Sequence, residues 1–363
     1  MTKRVLIIAP IDFNDCNNEG VIQKLIGQQQ GFNKLGYQVD MVYNKGNTIY
    51  KNSEAMVITK RSYNRFRYYW YQDIKKLVSF EQYVFLWIRY SISTPSFISF
   101  LARGRHVHPK LKVILDMPTY PYADEWAGIR GRIALSMDSM YRSKLIRYVD
   151  RIAHSGPEKN IWQIPTTTMT NGVLTSQEIL GRPIDTETIH LLAVGKWRYW
   201  HGLDRLVNTA DFKSANMVLH IVGEGSALVD LNNNISQEQK EYVIYHGSMI
   251  GAKLIRLVEQ CHMAIGTLGL HRKRVTVNSS LKHRDYCAKG LPFVYAGTDP
   301  DFDDQPFVLR ITSDESPLHL DTLRSFYLNL DLKKMGSKMK AYSEQHLCWS
   351  NKIAPVLSAV MNT

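Results

Sequence analysis

The stretch His262–Ala296, HMAIGTLGLHRKRVTVNSSLKHRDYCAKGLPFVYA, decides the reading of this chain. It runs as a short apolar strand, a basic loop broken by glycine, a helix and a second apolar strand. Ser279 and Ser280 stand where an N-cap is expected, because a serine hydroxyl can accept a free N–H of a first helical turn. Gly290 followed by Leu291-Pro292 marks the stop, since glycine accepts the left-handed C′ conformation and proline cannot continue a helix. A helix N-terminus preceded by Arg272, Lys273 and Arg274 offers unpaired amides, the positive end of a dipole and mobile cations. That combination suits a diphosphate. It also describes an ordinary βαβ unit with a solvated basic loop.

The same alternation extends outward from this stretch. Apolar strands are expected at 189–194, 217–222, 242–246, 263–266 and 292–296, with helices near 203–209, 226–231, 252–259 and 282–289. Two of the strand-end loops, Gly195-Lys196-Trp197-Arg198 and Gly223-Glu224-Gly225, carry glycine where a backbone must approach a ligand closely. A third, at Gly266-Thr267, ends the strand that opens the quoted stretch. Residues 316–363 read as helical throughout.

The N-terminal part repeats the pattern with a strand at 4–10, a polar loop at 11–20, a helix at 21–35 and a strand at 37–43. This is the start of a parallel sheet with right-handed crossovers. The loop holds Asn14, Asp15, Asn17, Asn18 and Gly20 but no GxGxxG, so a dinucleotide fingerprint is absent. A strand at 112–115 leads into Asp116 and then MPTYPYADEW, in which two prolines hold the backbone extended or turned. Ligands of open α/β sheets collect beyond the carboxyl ends of strands. Asp116, Tyr120, Tyr122 and Glu125 are therefore expected on a stiff loop where chemistry happens, although an Asp at such a place also serves as a helix cap or turn former.

At 363 residues, 44% hydrophobic and 21% charged, the chain suits two average α/β domains. No apolar run approaches the roughly 20 residues of a membrane-spanning helix, and the apolar start at Val5 is too short for a signal-peptide core. Cys16, Cys261, Cys287 and Cys348 show no CxxC spacing and read as reduced residues of a cytoplasmic protein. No His or Cys constellation has zinc spacing. The acidic cluster Asp299, Asp301, Asp303 and Asp304, interrupted by Pro300, reads as a solvated turn, and no metal is expected.

The net charge of +12 calls for an anionic partner: nucleic acid, a membrane face or a phosphorylated small molecule. The excess is concentrated in Lys60–Lys76, KRSYNRFRYYWYQDIKK, with six Lys or Arg, one Asp and six aromatics. Such a mix fits an anionic membrane interface, single-stranded nucleic acid, or an amphipathic core helix with a charged outer face.

Taken in order, the N-terminal strand with its Gly/Asn loop, DxPTYPY, NGV, AVGKWRYWHGLDRLV, LHIVGEG, YHGSM and LKHRDYCAKGLPFVYA resemble a bacterial GT-B glycosyltransferase of the type grouped with glycosyltransferase family 4. The resemblance implies two Rossmann-like, doubly wound domains facing across a cleft: 1–172 for the acceptor, 173–340 for a nucleotide-sugar donor, and a final helix at 341–363 packing back on the first domain. It implies a metal-independent enzyme with no cofactor beyond its donor, of which a UDP-sugar is the expected form. Lys196 takes the place of one diphosphate-binding cation; His201 stands where the family has a lysine, with Arg198 as a substitute. Asp285 takes the position whose carboxylate holds the ribose hydroxyls. The first acid of that family motif is missing, its place being Val277.

The expected donor site is therefore Gly195, Lys196, Arg198, His201, Gly223, Glu224, Thr267, Ser279, Ser280, Lys282 and Asp285. Asn18, Gly20, Tyr120, Tyr122 and Glu125 are the expected acceptor residues, and Asp116 the expected base or acceptor-aligning group. The resemblance favours retention of configuration. The basic aromatic stretch suggests a saccharide or lipid-linked saccharide acceptor in polysaccharide biosynthesis, with peripheral contact at the inner face of the cell membrane. A nucleotide-sugar epimerase and a non-catalytic partner in a glycan-assembly complex are the alternatives. Nucleic acid, suggested by charge alone, is set aside as a partner.

Overall fold

The computed structural model describes residues 3–15, 18–58, 63–123, 126, 128–174, 187–208, 210–273, 275 and 277–362, with backbone alone for 63–68. Two compact units are formed, Met1–Thr170 with Trp349–Thr363, and Asn171–Cys348.

The first unit comprises β1 (Arg4–Asp12), α1 (Glu19–Lys34), β2 (Gln38–Lys45), β3 (Thr48–Lys51), β4 (Glu54–Ile58), α2 (Tyr63–Ile74), β5 (Phe85–Arg89), α3 (Pro95–Val107), β6 (Lys112–Asp116), α4 (Gly128–Arg142), β7 (Arg151–His154), β8 (Asn160–Ile161) and β9 (Ile164–Thr168). The described strands form one sheet in the order β4-β3-β2-β1-β5-β6-β7-β9-β8, parallel from β2 through β9 and antiparallel at both edges. Val5 to Ala9 in β1 are wholly buried, as a central parallel strand covered on both faces must be. The chain moves one way from β1 to β2 and the other way from β5 through β7. Right-handed crossovers therefore put α1 on one face and α3 and α4 on the opposite one. Thr94 caps α3 by accepting from Phe97 N, with Pro95 at the first helical position.

The second unit comprises β10 (Ile189–Val194), α5 (Asp204–Val207), β11 (Met217–Val222), α6 (Ser226–Asn234), β12 (Val243–Tyr245), α7 (Gly251–Gln260), β13 (Met263–Ile265), α8 (Leu281–Ala288), β14 (Phe293–Ala296), β15 (Val308–Ile311), α9 (Leu320–Leu328) and α10 (Leu332–Tyr342). Its described strands pair in parallel in the order β12-β11-β10-β13-β14-β15, with an apolar cluster on each face.

The last helix, α11 (Trp349–Met361), returns to the first unit and packs along α1. Gly27 and Gly31, one helical turn apart on α1, make room for Trp349. A Cβ on Gly27 would lie 2.2 Å from the indole nitrogen, and one on Gly31 2.8 Å from the Trp349 carbonyl carbon. Gly31→Ala is expected to lower stability by about 1 to 3 kcal/mol, because the atoms it strikes are the Trp349 Cβ and the backbone beside it, which cannot rotate away. Denaturant unfolding of the two proteins checks it. The expected boundary at 340/341 moves to 348/349. The reason is that α10 packs on α8, and Val173 bridges Cys348 next to the π-helical turn Ser343–Leu347.

Two further expectations change. Gly20 is not in a loop: β1 runs on to Asp12, whose carboxylate accepts from Asn14 N and Gly46 N at 2.9 Å each, and α1 begins at Glu19. In the basic aromatic stretch, residues 60–62 lie outside the described residues, while Trp70, Tyr71 and Ile74 of α2 are buried in the core. Among the side chains described in that stretch, Trp70, Tyr71 and Ile74 thus serve the core, while Tyr69 is exposed.

Four histidines that are scattered in sequence line up across the second sheet. His262, His190, His220 and His246 stack in sheet order, with ring nitrogens 2.9 Å apart between His190 and His220 and 3.0 Å between His220 and His246. Burial, then the charge of either neighbour, pulls His220 down to about 4, so it is neutral in the folded chain. The unfolded chain takes up the proton first as pH falls below 6.5. Stability from this site is thus complete above pH 6.5 and is lost toward pH 4. Urea unfolding at pH 7 and pH 4.5 is expected to differ by a term on the order of 2 kcal/mol that His220→Asn removes.

Candidate nucleotide-binding face of the second unit

In the second unit the chain leaves β10 toward β11 and β12 on one side, then returns to place β13 on the other. A crevice is expected beyond the carboxyl ends of strands at such a reversal. Four segments meet there: 195–201 after β10, 223–225 after β11, 266–273 after β13, and 279–282 at the start of α8.

The first two segments are pressed together by glycine. Gly223 (φ +104°) and Gly225 (φ +153°) hold backbone conformations that side chains rarely adopt, and a Cβ on either would meet the Gly195 or Trp197 carbonyl oxygen at 2.0 and 1.9 Å. Trp197 N donates to Glu224 O at 2.8 Å, and the buried Trp197 indole donates to Val222 O at 3.0 Å. Trp197 is therefore a floor for this face, not a surface residue. Lys196, Arg198 and Glu224 are exposed above it.

Lys282, in the first turn of α8, lies over that floor. Its Nζ is 5.0 Å from the Trp197 ring centre, is inaccessible to solvent and has no hydrogen-bond partner. Burial pulls its pKa down to about 7. An ammonium held in this state lacks the compensation that buried charges require, and an anionic ligand would supply it. His201 differs from Lys282 in role. Its Nδ1 accepts from Arg198 N at 2.9 Å, its carbonyl accepts from Leu268 N, and burial followed by the Lys282 charge holds its pKa far below the usual imidazole range. It shapes the loop as a neutral ring and adds no cation.

Around this floor the basic loop is fastened from outside. Arg272 forks onto Asp204 at 2.8 and 2.7 Å and also engages Glu315; those carboxylates raise the guanidinium pKa further. Lys273 Nζ lies 4.8 Å from the Trp200 ring centre, and Arg274 lies outside the described residues.

The expected serine caps are differently employed. Ser279 Oγ accepts from Asn171 N at 2.7 Å, and Ser280, although at the N-cap position, makes no side-chain cap. The α8 amides are therefore not silenced by either hydroxyl. Behind them, Arg284 is wholly buried, forking onto Asp299 at 2.5 and 2.7 Å, reaching Asp301 and donating to Asn171 O at 3.0 Å. Burial works against its charge, but Asp299 and Asp301 outweigh that and raise its pKa. His283 donates from Nδ1 to Asp299 at 3.2 Å while Nε2 accepts from Thr267 N at 3.4 Å; burial brings its pKa to about 4. Asp299 therefore departs from the reading of the acidic cluster as a solvated turn, being fully buried and anchoring α8, while Asp304 in the same turn is exposed. Asp285 is half-exposed one turn after Lys282 and pairs with Lys289 at 2.6 Å. Val277 bridges Thr298.

In the first unit, the strand-end residues are largely consumed by structure. Asp116 is the last residue of β6, not part of the following loop, and is 1% exposed. Lys24 Nζ and Gln28 Nε2 of α1 donate to its two oxygens at 3.1 and 3.0 Å. Burial pulls the Lys24 pKa down and Asp116 pushes back. Asp116→Asn is expected to destabilise the chain by about 3 kcal/mol or more, since it leaves a buried ammonium unpaired. A general base would instead lose turnover with an unchanged melting curve. Tyr122 is buried and, with Tyr90, donates to the buried Asp138 carboxylate, which also accepts from Ser93 N at 2.7 Å. Tyr122 is accordingly spent on the core, and Asp138 and Tyr90 carry no sequence signal of their own. Tyr120 is partly exposed, Asn18 donates to Asp12 O at 3.0 Å, and Glu125 lies outside the described residues.

Neither a protein-family model nor a curated protein sequence matches the chain. Solved structures do. The catalytic domain of starch synthase IV from Arabidopsis thaliana, bound to ADP and acarbose, is similar over 100% of this chain and 99% of its own with a TM-score of 0.67 at 9% identity. A glycosyltransferase from Rickettsia africae gives 0.63 at 9% identity over 100% and 99%. HepE of Anabaena, in complex with UDP and glucose, gives 0.60 at 11% identity over 98% and 99%. The chain has the GT-B fold. Among the described residues no group of three or more His, Cys, Asp or Glu is arranged to hold a metal ion, and no helix is long and apolar enough to cross a membrane.

Proposed function

We propose that this GT-B chain is a glycosyltransferase whose second unit holds the diphosphate of a nucleoside-diphosphate sugar over Trp197, and that it passes the sugar to a saccharide or lipid-linked saccharide acceptor. The observation that carries the reading is the uncompensated Lys282 ammonium, set beside an α8 start that has no side-chain cap and glycine-shaped loops at the strand reversal. The ligands printed for the structural neighbours, UDP and glucose for HepE and ADP for the starch synthase, support it at the level of fold. Departure of the nucleoside diphosphate develops negative charge, and preorganised cations and amides act on that charge as it forms. Lys282 supplies the buried cation, and Lys196 and Arg198 supply exposed ones. Asp285 is assigned to the ribose hydroxyls, exchanging its Lys289 pair for them. No step requires a metal, and with Asp116 committed to Lys24, the departing phosphate is assigned as the acceptor for the proton of the attacking hydroxyl. This is compatible with retention.

A thermal-shift panel of nucleoside diphosphates and their sugars, with and without magnesium, tests the reading. A ligand that binds only the folded chain raises the melting temperature by mass action. A rise with one diphosphate class, UDP first, that magnesium does not change is expected; no rise with any nucleotide would overturn the proposal. A rise without sugar transfer to any acceptor would favour the non-catalytic partner, which the missing acid at Val277 makes the second reading.

A further inference from the structure

The outer face of α4 carries a second feature, independent of the donor site and of the transfer reaction. Ile129, Ile133 and Met140 are 78%, 58% and 67% exposed, and it is their grouping, not their exposure singly, that calls for a partner. With 3.6 residues per turn they fall within about 40° of one another on the helix, on a single ridge. Gly131, Ala134 and Asp138 form the opposite, buried side. Arg132 flanks the ridge on one side and Arg130 on the other, and just past the helix come Lys144, Ile146 (44% exposed) and Arg147. All four of those cations are exposed, and none has an acidic partner among the described residues. Between 128 and 147 the only carboxylate is Asp138, which is fully buried. Lys144 Nζ lies 4.7 Å from the Tyr141 ring centre, a pairing suited to a headgroup zone.

We infer that α4 is a membrane-docking helix that lies in the plane of an anionic lipid surface, its Ile129–Ile133–Met140 ridge entering the acyl boundary and Arg130, Arg132, Lys144 and Arg147 meeting the headgroups. The chemistry selects lipid over the other occupants. A ridge one residue wide is too narrow for the roughly 800 Å² per partner of a stable protein interface, yet sufficient for an interfacial helix whose apolar edge inserts while cations hold the phosphates. Nucleic acid would meet the cations but would press isoleucine and methionine against phosphate without gain. The location differs from the Lys60–Lys76 stretch, where Trp70 and Tyr71 are core and Tyr69 is exposed.

The test is co-sedimentation of the full chain with vesicles of phosphatidylglycerol in phosphatidylcholine, compared with phosphatidylcholine alone. At least tenfold stronger partitioning onto the anionic vesicles is expected, and at least a tenfold loss in the Ile133→Glu/Met140→Glu variant. Both side chains are solvent-exposed, so an unchanged melting temperature shows that the loss is not unfolding. Arg130→Gln/Arg132→Gln, which leaves the ridge intact, is expected to lose several-fold. The inference is overturned if the wild type ignores anionic vesicles, or if the glutamate variant binds them as the wild type does. It is also overturned if sedimentation velocity shows a dimer that the glutamate variant dissolves, since the ridge would then belong to a second copy.

Discussion

Lys282→Met is expected to weaken nucleoside-diphosphate binding by roughly 30- to 100-fold, the equivalent of about 2 to 3 kcal/mol for a hydrogen bond to a charged group in a buried setting. Calorimetric titration with the diphosphate that gives the thermal shift measures it. The same substitution is expected to raise the melting temperature of the ligand-free chain near neutral pH, because it removes an ammonium that no hydrogen bond compensates. A residue that is simply part of the fold would move both quantities downward. Acidity separates the two effects again. The folded-state pKa of Lys282 is about 7, below the 10.5 of an unhindered lysine. Between those values the unfolded chain binds more protons than the folded one, so ligand-free stability rises with pH over that interval. Diphosphate binding needs the ammonium and should weaken by up to about tenfold per unit as pH rises above 7. Opposite slopes of stability and affinity, both abolished in Lys282→Met, identify a cation held ready for its ligand. Parallel slopes, or an affinity indifferent to pH, would refute that role.

The architecture was legible because burial on both sides of a parallel strand leaves an unbroken apolar run. The strands at 189–194 and 217–222 have the bounds read from the sequence, and the helix read at 282–289 is α8 within one residue at each end. The short hairpin of β3 and β4 was not legible, since half-buried edge strands mix polar and apolar residues without a clear period. Residue roles were harder, because they depend on partners far away in sequence. Asp116 and Lys24 are 92 residues apart, and Asn171 and Ser279 are separated by 108. From sequence alone a strand-end carboxylate and a serine before a helix invite catalytic and capping roles; the fold gives each a different partner. The paired glycines of α1 did carry a signal. Gly27 and Gly31 sit one turn apart in an otherwise ordinary helix, a spacing that announces close approach by something large, and Trp349 is that neighbour.

Asp299→Ala is expected to cost about 3 to 5 kcal/mol of stability, the range for removing one partner of a buried ion pair. The sequence reading and the structure differ most sharply here. In a solvated acidic turn the same change would stay within about 0.5 kcal/mol. In the folded chain Asp299 receives the Arg284 fork and the His283 Nδ1–H, and both donors are wholly buried. Removing it leaves Arg284 with Asp301 and the carbonyls of Asn171 and Ser280, and frees His283 from the tautomer in which Nε2 accepts from Thr267 N. The start of α8 and the loop after β13 would therefore loosen together, carrying Lys282 away from Trp197. Urea unfolding gives the first quantity and diphosphate titration of the surviving folded fraction the second. Adding Arg284→Met should restore part of the stability, because an apolar side chain of similar length does not leave a guanidinium unpaired. It should not restore diphosphate binding, because His283 still lacks its acceptor and α8 its anchor. Recovery of both in the double variant would mean that the ion pair sets only stability, and that Lys282 is positioned by the apolar packing of α8 alone.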